Sequence, residues 1–156
     1  MHTYLLAVGK LRPYYRAACD DYLQRLRRYG PITEREVREA GRAATPELCR
    51  REEATRLLAA LPPQVVIIAL ERAGSSWTSA ELARRLDGWR TAASDLALVI
   101  GGGFGLAPEL LRKARYRWSL GPLTFPHELA RVVVLEQWYR AWTILRGEPY
   151  HKSGEK

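Results

Sequence analysis

The chain has 156 residues, enough for one domain and too few for two ordinary ones. Its apolar fraction of 47% and charged fraction of 27% exclude a disordered or fibrous chain. No apolar run approaches the ~20 residues that a membrane helix needs. The opening Met1–Lys10 lacks the basic and apolar regions of a signal peptide, so a soluble, cytoplasmic protein is expected. Cys19 and Cys49 have no Cys or His cluster beside them, which is not a zinc spacing, and no metal is expected. The net charge of +8 favours an anionic partner, nucleic acid above all. Of the 25 basic residues 21 are Arg, whose forked guanidinium suits phosphate, although a G+C-rich genome gives the same bias.

Strand and helix patterns alternate from end to end. Tyr4–Val8 reads as a short apolar strand. After Pro13, Tyr15, Ala18, Tyr22, Leu26 and Tyr29 recur at helical spacing until Gly30-Pro31. Ile32–Val37 is a weak edge strand, interrupted by Glu34, Arg35 and Glu36. Thr45-Pro46-Glu47 opens a helix whose apolar stripe is Leu48, Ala54, Leu57, Leu58 and Leu61. Val65–Leu70 and Leu96–Ile100 are continuous apolar runs, as in parallel strands buried on both faces. Between them Thr78 and Glu81 have capping-box spacing, followed by Leu82, Leu86 and Trp89. A short helix from Pro108, a brief strand near Trp118–Leu120 and a long helix from Glu128 to Leu145 complete the pattern. The result is a single α/β domain with a largely parallel sheet. Ligands of such sheets bind beyond the carboxyl ends of the strands, which singles out the loops after Val8, Leu70, Ile100 and Leu120.

Two of those loops stand out. Gly101-Gly102-Gly103-Phe104-Gly105 lets backbone approach a ligand closely. It is not a dinucleotide fingerprint, because Leu106 stands where Gly or Ala would be required, and no P-loop motif occurs. Ser119-Leu120-Gly121-Pro122-Leu123-Thr124-Phe125-Pro126-His127-Glu128 is apolar with few charges, suited to an apolar or neutral ligand rather than a polyphosphate. The alternative is a rigid connector before the last helix, with His127 solvated or capping. The aromatics of the last helix read as core or interface packing. The terminal Pro149-Tyr150-His151 lies where ordering brings little stability, so its loss is expected to leave folding almost unchanged.

Leu98–Gly102, Gly105-Leu106, Trp118–Leu120, Leu123–His127, Arg131-Val132, Tyr139–Trp142 and Pro149–His151 together closely resemble the RlmH family, pseudouridine methyltransferases of large-subunit ribosomal RNA in the SPOUT superfamily. The opening Leu6–Lys10 resembles it too, so the likeness spans nearly the whole chain. It implies a trefoil-knotted α/β fold, with the knot in the half from about residue 70 to 156. It implies S-adenosyl-L-methionine bound by Leu70, Gly101, Leu120, Gly121, Pro122, Leu123, Thr124 and Phe125. It implies methylation of N3 of a pseudouridine in 23S rRNA within the ribosome by a homodimer, the tail of one subunit completing the site of the other. Arg140, Tyr150 and His151 are the candidate catalytic residues: a cation near the uracil oxygens, a stacking or hydrogen-bonding group, and a base. One departure stands out: the family's glycine loop usually reads Gly-Gly-Pro-Glu-Gly, and Gly103 and Phe104 stand here instead. A non-catalytic RNA-binding or ribosome-assembly module of the same fold is the competing reading.

Overall fold

The computed structural model describes residues 1–41 and 45–151, the last of these by backbone alone. Five strands, β1 (Thr3–Val8), β2 (Ile32–Val37), β3 (Val66–Ser76), β4 (Leu96–Ile100) and β5 (Tyr116–Ser119), alternate with five helices. These are α1 (Pro13–Leu26), α2 (Pro46–Ala60), α3 (Ser79–Thr91), α4 (Pro108–Lys113) and α5 (His127–Leu145). A 3-10 turn over Pro149–His151 follows. The strands form one sheet in the order β2-β1-β4-β3-β5, with every pairing parallel.

Side chains alternate across the pleat, so the continuous apolar runs feed two cores. Leu5, Ala7, Ile68, Leu96 and Leu98 pack with α1, α3 and α5 on one face. Leu6, Val8, Ile67, Ala97 and Val99 pack with α2 and α4 on the other. All five residues of β4, in the middle of the sheet, are buried. The capping box of Thr78 and Glu81 starts α3 as its spacing predicts.

Several local expectations need correction. The buried stripe of α1 is Cys19, Leu23 and Leu26, offset from the tyrosines. Those tyrosines sit half-buried at the margin, where a phenol keeps its hydroxyl within reach of polar partners. Leu48, expected on the apolar stripe of α2, is 45% exposed, because Cys49, Ala54 and Leu57 face the sheet instead. The third strand does not end at Leu70. Leu70 and Ser75 both pair with Trp118, so residues 71–74 bulge out and the strand resumes to Ser76. Gly74 closes that bulge directly over the Arg117 carbonyl, leaving no room for a Cβ.

Candidate active site

Because every strand is parallel, all carboxyl ends lie along one side of the sheet. Three of them (the Leu70 bulge, Ile100 and Ser119) surround a pocket of about 440 Å³. It is lined by Ile100, Leu106 and Trp118, by the two loops singled out from the sequence, and by Arg50, Glu71 and Arg72. The loop after β4 is a tight hairpin: Gly102 and Gly105 form an antiparallel bridge, and the Gly105 N–H donates to the Gly102 carbonyl at 3.0 Å. A Cβ on Gly101 would lie 2.7 Å from the Gly105 carbonyl carbon and oxygen, so glycine is needed there for the loop itself to close. The loop after β5 turns at Gly121, which has a φ of +111° and donates to Ser119 Oγ at 3.1 Å.

Seven of the eight residues expected to hold a cofactor line this one pocket: Leu70, Gly101, Leu120, Gly121, Leu123, Thr124 and Phe125. Pro122 is the exception; its carbonyl accepts from Arg72 Nη2 at 3.5 Å. His127 and Ala130, from the start of α5, also face the pocket. The sequence reading left His127 undecided between solvent and cap, and its place at a pocket edge becomes evident only once α5 starts there.

Beside the pocket, the ends of β1 and β2 are closed by an ionic cluster. Arg131 of α5 is 1% exposed and donates to the carbonyls of Val8 and Gly9 at 3.4 and 2.9 Å. Its other nitrogen pairs with Glu34 and Glu36, and Arg16 pairs with the same two carboxylates. At the first turn of α5, Glu128 accepts from the Arg12 backbone N–H at 2.7 Å and from its Nε at 2.9 Å. Those Arg12 contacts hold the Glu128 carboxyl below the usual range, the backbone N–H contributing most.

The remaining candidates gather at the other end of α5. Tyr150 donates to Glu136 at 2.9 Å and packs edge-on to Tyr139. Arg140 donates to the same Glu136 oxygen at 2.8 Å and lies over the Tyr150 ring. Burial, with hydrogen bonds to Tyr22 and Glu136, pushes the Tyr150 phenol above its ordinary value, so it acts as a hydrogen-bond donor and not as a base. Glu148 accepts from the Tyr29 hydroxyl at 2.7 Å. The tail is therefore docked on α1 and α5, contrary to the expectation that its removal leaves folding almost unchanged. The His151 side chain lies outside the described residues. Arg140 is ten residues beyond Ala130, about 15 Å along the helix, so one chain does not bring Arg140 and Tyr150 to the pocket.

Residues 1–151 match the family described as predicted SPOUT methyltransferases. The chain belongs to that family. Among its relatives, a protein of Rubrobacter xylanophilus named ribosomal RNA large subunit methyltransferase H is 51% identical over 152 residues, covering 94% of this chain and 96% of that protein. A protein of the same name from Thioalkalivibrio sulfidiphilus is 42% identical over 156 residues, covering 98% of this chain and all of the relative. The fold of this SPOUT methyltransferase is also that of a probable methylase family protein from Haemophilus influenzae, with a TM-score of 0.54 at 12% identity, covering 97% of this chain and 70% of the other. A putative methylase family protein from Neisseria gonorrhoeae gives 0.53 at 16% identity, covering 88% of this chain and 81% of the other. Among the described residues of the methyltransferase, no group of His, Cys, Asp and Glu could hold a metal ion, and no helix is long and apolar enough to cross a membrane.

Proposed function

We propose that this SPOUT methyltransferase transfers a methyl group from S-adenosyl-L-methionine to N3 of a pseudouridine in 23S rRNA, acting on the ribosome in the cytoplasm as a homodimer with the knotted trace of its superfamily. The single observation that carries the reading is the glycine-rich pocket at the carboxyl ends of three parallel strands, in a chain alike over nearly its full length to ribosomal RNA methyltransferases. The pocket fits the donor: its volume lies in the range of small-molecule sites, and its walls combine apolar side chains with glycine backbone. When bound there, S-adenosyl-L-methionine supplies an activated methyl on a positively charged sulfur. Leu70, Gly101, Leu120, Gly121, Leu123, Thr124 and Phe125 would enclose it, with Pro122 holding the turn.

The N3 imide is a weak acid, so methylation needs a base for its proton and a donor or cation for the charge that develops. His151 is assigned the proton, and Arg140 the uracil oxygens. Tyr150, held by Glu136, keeps Arg140 aligned. Arg140 and Tyr150 lie too far from the pocket of their own chain, which supports a site shared between subunits. Leu129 and Val133 on α5 are half-buried and belong to neither core. Two copies of α5 packed antiparallel about their middle would cover those residues and set Arg140 of one chain near Ala130 of the other. Trp138 and Trp142 are buried in their own core, so such a contact does not use them.

Mass spectrometry of 23S rRNA fragments from a deletion strain and its complemented twin tests the activity: a methyl group on pseudouridine should vanish and return. Calorimetry with S-adenosyl-L-methionine should show binding; none at millimolar ligand would favour the non-catalytic RNA-binding module. The shared site is tested by mixing two inactive forms, Gly101→Val and His151→Ala. Mixed dimers should regain a fraction of wild-type activity, and no recovery would confine each site to one chain.

A further inference from the structure

Among the described residues four large hydrophobic side chains are exposed, and two of them, Phe104 (55%) and Leu123 (69%), stand on opposite lips of the pocket. Phe104 is at the tip of the glycine hairpin. Its neighbours Gly103 and Gly105 have open space where a Cβ would be, and its ring makes no aromatic contact with another described residue. Each lip is held by an arginine that also lines the pocket: Arg50 Nη1 donates to the Phe104 carbonyl at 3.4 Å, and Arg72 to the Pro122 carbonyl at 3.5 Å. Neither guanidinium has a carboxylate partner among the described residues, whereas Arg12, Arg16 and Arg131 are paired. An exposed flat ring at a pocket mouth that also carries Arg50 and Arg72, with Glu71 the one acid of the described lining, matches an unstacked nucleobase with phosphates nearby. The exposed face of the ring is open to a group arriving from outside.

We infer that Phe104 is a substrate-positioning residue that stacks on a base of the RNA, at or next to the methylated nucleotide, while Arg50 and Arg72 contact the adjoining phosphates. The inference rests on the methyl-transfer reading for the identity of the site, but it is measured independently of it. Affinity for ribosomes and affinity for S-adenosyl-L-methionine are determined separately for wild type, Phe104→Ala, Phe104→Leu and Phe104→Tyr. Phe104→Ala should weaken ribosome binding roughly 10–100-fold, the scale of one aromatic–base stack, with donor affinity within about twofold of wild type. Phe104→Tyr should restore binding and Phe104→Leu should not, since only the former keeps a stacking face. The double variant Arg50→Gln, Arg72→Gln should lower the slope of log affinity against log salt by up to about two. Ribosome affinity unchanged in Phe104→Ala would overturn the inference, as would an equal loss of donor affinity, which would assign the ring to the donor. Rescue by Phe104→Leu would also overturn it, by reducing the ring to an apolar contact. A wild-type protein that binds no donor would sink the methyl-transfer reading alone, because the ribosome measurements stand without it.

Discussion

The carboxyl edge of the sheet is treated in two opposite ways. Where β1 and β2 end, side chains of the protein itself complete the exposed backbone: Arg131 takes the Val8 and Gly9 carbonyls, Glu34 and Glu36 neutralise it, and Arg16 and Arg12 close the rim. Where β3, β4 and β5 end, glycine backbone and apolar side chains make most of the lining, and its two arginines, Arg50 and Arg72, bond to loop carbonyls. A parallel sheet gathers the same unsatisfied groups along the whole of that edge. Filling one half permanently fixes α5, whose first turns border the other half. The open half then has one rigid wall and two short glycine-bearing loops, a division suited to holding a ligand. Buried ion pairs need not add net stability, so the sealed half is better understood as a positioning device.

The largest effect should follow from breaking the sealed half. Arg131→Met takes the donor from the Val8 and Gly9 carbonyls and leaves Glu34 and Glu36 to Arg16; it should cost about 2–4 kcal/mol, lowering Tm by roughly 4–16 °C for a domain of this size. Scanning calorimetry checks this, and a shift below about 2 °C would show that α5 is fixed by its apolar packing alone. In the open half, Gly101→Ala places a Cβ against the Gly105 backbone. The loop must widen, at about 1–3 kcal/mol, and affinity for S-adenosyl-L-methionine should fall at least tenfold by titration calorimetry. Unchanged affinity would separate this hairpin from the ligand. The smallest effect should come from the rim. The Glu128 carboxyl is held below its usual range, so its stabilisation is present above the ordinary glutamate pKa and is lost as pH falls through the lower folded value. Glu128→Gln should therefore cost about 1 kcal/mol at neutral pH and flatten the acid limb of stability. A pH-independent difference between the two proteins would assign the loss to packing instead.

Most elements were legible because their signals were strong: β4 is apolar on both faces, and Thr78 with Glu81 marks the start of α3 within its own four residues. The two loops of the pocket were legible for the same reason, glycines and a Gly-Pro turn directly after buried strands. What escaped depends on partners distant in sequence. Glu34 and Glu36 read as interruptions of an edge strand, and they are the partners of an arginine nearly one hundred residues later. The bulge after Leu70 is set by how β5 passes Gly74, which no local pattern records. Tyr150 reads as a loose end because its anchors, Tyr22, Tyr139 and Glu136, lie on two helices.

The placement of β1 has a kinetic consequence. Thr3 pairs with Ile32 on one side and with Leu96 on the other, so β1 is an interior strand whose second neighbour lies far along the chain. During synthesis, β1, α1 and β2 can associate early. The other edge of β1, with Leu5, Leu6, Ala7 and Val8, then waits several seconds for Leu96–Ile100 at ordinary translation rates. An open apolar edge of this kind is a template for another nascent chain. Refolding from denaturant should accordingly be slower than for a helical protein of equal length, with a yield that falls as protein concentration rises.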